Sequence, residues 1–394
     1  MFRKLKPTVF ILEGINAYAT AYYFNYLFFL LRDQFGFGSL ENLTVSALHG
    51  FIYFFAAVQA GKFAERRGFL TSLRVGFSGM ALAMAAAGIF TSLAGQFVAL
   101  AIWTIVMMFT WPALEALAST CENREGMQRM VGIYNCVWAG GAALAYFTGG
   151  ALFERLGVRS IFWLPAGLHV LQFVIVLWLG KKSAHETRKT AVEITPPHKP
   201  EAAAFKQSVS PKTFLKMGWL ANPFAYVAMN TILAMIPALA QRFYLSVTQS
   251  GLFFSIWFLV RLATFFALWH WTGWHYRFRW LAGAFVALIA TFATLLLARE
   301  LWVLVLAQII FGAAVGLIYY SSLFYSMDVG ETKGEHGGWH EAFIGAGICV
   351  GPGIGAAALQ FAPQYPNAVT WTVSGLLICG FGGLIRLRVK KNRA

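Results

Sequence analysis

Apolar runs of about 20 residues or more recur along the chain, broken by short charged or glycine-rich stretches. A membrane-crossing helix needs about 20 mostly apolar residues, so each run predicts one span. The runs fall at 8–31, 43–63, 70–92, 96–120, 130–153 and 159–180, then at 214–240, 248–271, 279–298, 301–327, 338–361 and 367–387. The pattern predicts an all-α membrane protein with twelve transmembrane helices, six plus six, and both termini on one side. The first run follows Arg3, Lys4 and Lys6 as a signal peptide would. Its length, Glu13 and the lack of a small-residue cleavage site predict a retained first helix instead. Residues 181–212 form the one long polar segment, with Pro196, Pro197 and Pro200. It cannot bury a core and predicts a mobile linker between 1–180 and 213–394. A lipid-binding or regulatory tether is the alternative.

Composition supports the membrane reading. The 394 residues are 58% hydrophobic and 12% charged, about half the charge of a soluble domain. The net charge of +15 does not imply nucleic acid, because the excess sits in short loops and tails. With the N-terminus placed in the cytoplasm, Arg32, Arg155, Arg159, Arg242 and Arg299 fall on the far side and Arg261 inside a span. The other 25 of the 31 Lys and Arg fall on the cytoplasmic side, as the positive-inside rule requires. Both termini are thus expected in the cytoplasm of a cell with a cytoplasmic (inner) membrane. Cys121, Cys136, Cys349 and Cys379 have no metal-ligand spacing and predict no structural disulfide.

The halves repeat. Gly338, Gly347, Gly351, Pro352 and Gly355 in the eleventh span match Gly132, Gly141, Ala145, Tyr146 and Gly149 in the fifth at a constant offset of 206 residues. Small residues at such spacing let helices approach closely in lipid. Repeated bundles around a central cavity are the usual build of a secondary transporter.

Residues 61–68 read Gly61-Lys62-Phe63-Ala64-Glu65-Arg66-Arg67-Gly68 between the second and third spans. This resembles the signature loop of the major facilitator superfamily. Glu65 replaces the usual Asp, and Phe69-Leu70 stand where two basic residues are usual. The resemblance implies two six-helix pseudo-symmetric bundles, a gating role for Gly61, Glu65, Arg66 and Gly68, and a turn made by the glycines with Glu65 and Arg66 able to pair. Gly351 and Pro352, also expected to serve gating, resemble the family's antiporter signature, which normally lies in the fifth span. The fourth span lacks the family's Arg and Gly, reading Ala101-Ile102-Trp103-Thr104, so drug–proton antiport is not assigned.

Three acids fall within spans, Glu13, Glu115 and Glu341, and Arg261 is the base set deepest inside one. Each costs roughly 2.5–3.5 kcal/mol near the bilayer centre, so a partner or water is expected. Glu13 opens a stripe with Asn16, Thr20 and Tyr23. Glu115 shares a face with Thr104, Met108 and Trp111, on a span that Pro112 should bend. The two carboxyls suit proton coupling, or sit capped and wet at a cavity mouth. Arg261 suits an anionic substrate group, or a structural ion pair. Glu341, near a helix start, is favoured by the helix dipole, or takes part in coupling or gating.

Asn222, Tyr226, Asn230 and Gln241 on the seventh span, and Gln308, Tyr319, Ser322 and Ser326 on the tenth, either line a cavity or join helices. Tyr22, Tyr23 and Tyr26 are candidates for ligand stacking. His336 and His340 are four apart, but intervening glycines and a helix expected to start at 338 argue against zinc. His49 and His169 read as satisfied or cavity-facing polar groups.

The expected function is secondary transport of a small organic solute, anionic if Arg261 faces the cavity, by alternating access with protons as the driving ion. The candidate substrate residues are Arg261, Asn16, Tyr23, Trp111, Tyr226, Asn230 and Tyr319. The coupling residues are Glu13, Glu115 and Glu341. No nucleotide-binding loop, cofactor site or catalytic cluster is present in the sequence, so no enzyme activity is expected. A monomer surrounded by membrane lipids is expected. The rival is a lipid-handling or non-transporting receptor protein on the same fold.

Overall fold

Long apolar stretches in lipid must satisfy every backbone group internally, which leaves the helix as the solution for a chain without strand alternation. The computed structural model describes residues 2–119, 124–187, 210–329 and 333–389. Among them thirteen helices form and no strand: α1 (Phe2–Phe35), α2 (Ser39–Arg67), α3 (Phe69–Ile89), α4 (Leu93–Met107), α5 (Trp111–Ser119), α6 (Arg124–Leu156) and α7 (Ser160–Thr187), then α8 (Pro211–Arg242), α9 (Val247–His270), α10 (Phe278–Leu297), α11 (Leu301–Val329), α12 (Lys333–Phe361) and α13 (Ala368–Val389). Eleven spans are long and apolar enough to cross a membrane, with α4 and α5 counted as one. The twelfth is α1, whose 34 residues make about 50 Å of helix but carry Asn16, Asn25 and four tyrosines. Helix α7 runs on to Thr187, past the expected start of the linker at 181. The rest of that segment, 188–209, lies outside the described residues.

The fourth span is broken rather than bent. Pro112 has no N–H to give Met108, and residues 108–110 form a turn between α4 and α5. Thr110 turns its hydroxyl back to Met107 O at 2.7 Å, and Asn16 of α1 reaches Thr110 at 3.2 Å. Helix starts use side-chain caps. Ser246 and Gln249 form a capping box at α9, with bonds of 3.2 and 2.9 Å.

The packing repeats as the sequence does. In the first half α1 packs on α6 and α7, and α3 on α4 and α7; in the second α8 packs on α12 and α13, and α10 on α11 and α13. Two seams join the halves, α2 on α12 and α6 on α9, and each is the counterpart of the other under the repeat. The repeated glycines supply the close approach. A Cβ on Gly141 would stand 2.6 Å from Gly14 O of α1, and one on Gly347 would stand 2.2 Å from Pro223 O of α8.

The Gly61–Gly68 loop is shorter than expected. Gly61 is inside α2, and Gly68 alone makes the turn, at φ 90°, its N–H bonded to Ala64 O at 2.9 Å. Among the described residues Glu65 makes no ion pair, so the pairing with Arg66 is not formed here. The matching link in the second half, residues 271–277, is longer and pinned by aromatics. Tyr276 sits at φ 52° and donates its hydroxyl to Asp328, its N–H meets Tyr325 Oη at 3.1 Å, and His275 stacks on Phe324 at 4.1 Å.

Candidate functional site

The buried charges converge between the halves. Glu13 comes from α1, Glu115 from α5, Arg261 from α9 and Glu341 from α12, and all four are buried. Glu115 and Glu341 both lie within electrostatic reach of Glu13, and of one another. Both Glu13 oxygens and Glu115 Oε1 have no hydrogen-bond partner of good geometry, though the Tyr134 hydroxyl of α6 approaches Glu13.

Arg261 stands apart from the carboxyls. Its guanidinium carbon lies 4.4 Å from the Trp138 ring of α6, 5.1 Å from Phe258 and 5.2 Å from Trp257. Rings over its faces hold the charge by cation–π attraction but accept nothing from its N–H edges. Nη1 meets only the Met229 sulphur, at 3.6 Å, and Nε has no partner. No carboxylate pairs with it among the described residues, so the structural ion pair is not formed. Trp138 stacks on Tyr319 at 5.0 Å, and Tyr319 lies 6.3 Å from Tyr226. Tyr226 interacts electrostatically with Arg261, Glu341 and Glu115, and Tyr319 with Arg261 and all three acids. The tyrosines are therefore neighbours of both the cation and the acids.

Glu341 has the fullest set of partners. Tyr53 of α2 donates its hydroxyl to Glu341 Oε2. The Asn222 amide nitrogen lies 3.4 Å from His340 Nε2, and His340 Nδ1 lies 3.9 Å from Glu341 Oε1. Helix α12 begins at Lys333, not at 338, so Glu341 lies more than one turn inside it. The side chain of His336 lies outside the described residues, and His340 is engaged as above.

The remaining candidates sort by partner. Trp111 is half-buried at the start of α5. Asn16 holds the broken fourth span through Thr110. Asn230 bonds the Tyr226 carbonyl of its own helix at 3.2 Å. Tyr23 packs edge-on to Trp103 at 4.7 Å and against Phe162, inside the first half. Tyr22 bonds Ser160 at 2.7 Å and Tyr26 bonds Tyr146 O at 2.6 Å, so both hold helices together. Gln241 is exposed at the end of α8. Ser326 accepts from Trp219 at 2.7 Å, while the Gln308 amide and the Ser322 hydroxyl are buried without partners. His49 Nδ1 meets Thr104 and His169 Nδ1 meets Gln172, each at 2.8 Å, while among the described residues His169 Nε2 is buried without a partner. Gly351 lets α12 close on Val227 and Thr231 of α8, and α12 continues through Pro352.

Sequence reasoning missed Tyr53, Trp138, Tyr134 and Met229. Tyr53 could have been noticed as a polar tip within the run Phe51-Ile52-Tyr53-Phe54-Phe55. The others carry no signal of their own, because their partners come from distant helices.

The family model of the major facilitator superfamily matches residues 9–352. No curated protein matches the chain by sequence. Among solved structures, the human organic anion transporter MFSD10 (TETRAN) superposes with a TM-score of 0.69 at 15% identity, covering 97% of this chain and 99% of that one. That likeness shows a shared fold. With a family model spanning most of its length, its two pseudo-symmetric halves and its buried central charges, the chain belongs to the major facilitator superfamily and is an integral membrane transport protein.

Proposed function

We propose that the protein is a secondary transporter of a small organic anion, working by alternating access and coupled to protons. One observation carries the reading: among the described residues Arg261 is buried without a carboxylate, its Nη1 meets only a thioether and its Nε has no partner. A buried charge with unmet donors is costly, and a carboxylate, sulfonate or phosphate group supplies what is missing through a bidentate fork. The rings around the guanidinium favour a substrate with apolar or aromatic surface next to its anionic group. The human protein that shares the fold is named as an organic anion transporter, which agrees with this substrate class.

Glu13, Glu115 and Glu341 are proposed as proton carriers. None faces a Lys or Arg closely enough to pair with it among the described residues, so each can change its protonation without breaking an ion pair. The bundles 1–180 and 213–394 move as units about the two seams, with 181–212 as the tether. Both termini are placed in the cytoplasm, in the inner membrane, with the protein as a monomer.

The test is uptake into proteoliposomes. Uptake of an aromatic carboxylate should rise when an inward proton gradient is imposed, and the rise should fall at least several-fold in Glu115→Gln. Uptake that ignores the gradient removes the coupling; no saturable uptake of any organic anion removes the substrate class.

A further inference from the structure

We propose that Tyr53 is the positioning residue through which the proton on Glu341 controls the seam between the halves. The inference rests on the proton-coupled reading above and adds to it a physical link between charge and closure. Helices α2 and α12 touch over a long stretch. A Cβ on Gly50 would lie 2.2 Å from Cys349 N, and one on Gly345 would lie 2.7 Å from Phe54 N. The seam continues to Gly355 against Leu43, beside a cleft of about 410 Å³ that opens between the two helices at Thr44 and Ala357. Apolar and glycine contacts of this kind are indifferent to protons. The Tyr53–Glu341 hydrogen bond is the exception: it crosses the same seam and ends on an ionisable oxygen.

A hydrogen bond to a carboxylate is roughly twice as strong as one to a neutral acid. With Glu341 ionised, Tyr53 donates to a full charge and holds α2 against α12. When Glu341 takes a proton, the Tyr53 O–H meets a neutral carboxyl and the link weakens, so the seam opens more readily. By linkage, opening of the seam raises the proton affinity of Glu341 by the same factor. The groups facing Glu341 are Tyr53 from α2, Glu13 from α1, Glu115 from α5, Tyr134 from α6, Tyr226 from α8 and Tyr319 from α11, with His340 beside it on α12. Among these, Tyr53 is the hydroxyl bonded to Glu341 across the seam.

The experiment places spin labels at Thr44→Cys and Ala357→Cys, the exposed walls of the cleft, in the full chain with its native cysteines changed to Ser. The inter-label distance is read in nanodiscs from pH 8 to pH 5. The expected result is a shift to longer distances as pH falls. Glu341→Gln should give the long distances at every pH. Tyr53→Phe should lose the pH dependence, and Tyr53→Gln, which keeps a donor, should restore part of it. A Tyr53→Phe protein that folds and keeps the parent's pH-dependent shift overturns the proposal, as does a parent without any shift. The coupling reading fails separately: a pH gradient then leaves uptake unchanged while the Tyr53-dependent shift persists.

Discussion

A guanidinium taken out of water needs acceptors for its five N–H donors. At Arg261 the rings cover the faces and a thioether meets one edge, which leaves the remaining fork for a ligand. Lysine would keep the charge but lose the planar fork and the stacking. Hydrogen bonds to charged groups are worth about 1.5–3 kcal/mol, which corresponds to about 10- to 150-fold in affinity. Arg261→Lys is therefore expected to raise KM for an organic anion by at least about tenfold, measured as initial uptake rates, with kcat changed far less. A residue that served packing alone would lower thermal stability and leave KM unchanged. The charge at position 261 was legible in the sequence, because an arginine within an apolar run announces itself. Its nearest ring partner was not, since Trp138 arrives from the other half of the molecule through the α6–α9 seam, whereas Trp257 and Phe258 precede it by one turn on its own helix. Tyr23 shows a different limit of the sequence. It shares a helical stripe with Glu13, yet its ring is taken up by Trp103 and Phe162, because spacing along one helix does not say which neighbour fills the space.

At the scale of elements, the glycine pattern was the most readable feature and now has a cause. Gly141 and Gly347 occupy the same register, and each rests on the backbone of the first helix of its half. Gly347→Ala should destabilise the protein by about 1–3 kcal/mol or more, the usual cost of overpacking, because its Cβ would meet a backbone oxygen that cannot swing away. Gly167→Ala in α7, where nothing lies within 4 Å of the new atom, should be neutral or slightly stabilising by helix propensity. Thermal unfolding in detergent compares the two; equal losses would contradict the register. The break in the fourth span was only half legible: Pro112 marked a bend, but the turn at 108–110 also depends on Asn16 reaching Thr110 from α1.

The 271–277 link permits a further test. Burial pushes the His275 imidazole down to about 4, against the opposing pull of Asp328. The ring is thus neutral from pH 5 to 8, and its protonation cannot supply pH dependence in that range. His275→Phe, which preserves the stack on Phe324, should leave the pH profile of transport unchanged. A profile displaced by a unit or more would show that the link takes part in coupling.

For the whole molecule, the halves meet at the α2–α12 and α6–α9 seams, and the proposed cycle separates these in turn. The α6–α9 seam is packed along its length, from Trp269 against Gly132 to Val247 against Gly150. It carries its own polar tie: Glu154 accepts from the Val247 and Thr248 N–H groups at 2.8 and 3.2 Å and from the Thr248 hydroxyl. A carboxylate at a helix N-terminus is stabilised by about 0.3–1 kcal/mol, enough to bias a balanced opening by a few-fold. Glu154→Ala should accordingly speed the labelling of a Val247→Cys reporter by a few-fold. An unchanged rate would mean that this tie does not limit opening. The six-plus-six architecture was legible because hydropathy and loop charge are properties of segments. The pairing of α2 with α12 and α6 with α9 was not, because seams depend on how two finished bundles meet.

Solute counterflow shows whether the buried Arg261 serves transport. Proteoliposomes are loaded with an unlabelled aromatic carboxylate and given a trace of the labelled compound outside, without any ion gradient. The account predicts a saturable overshoot of label in the parent protein, a reduced one in Arg261→Lys and none in Arg261→Gln, with all three proteins equally folded. An undiminished overshoot in Arg261→Gln would contradict it.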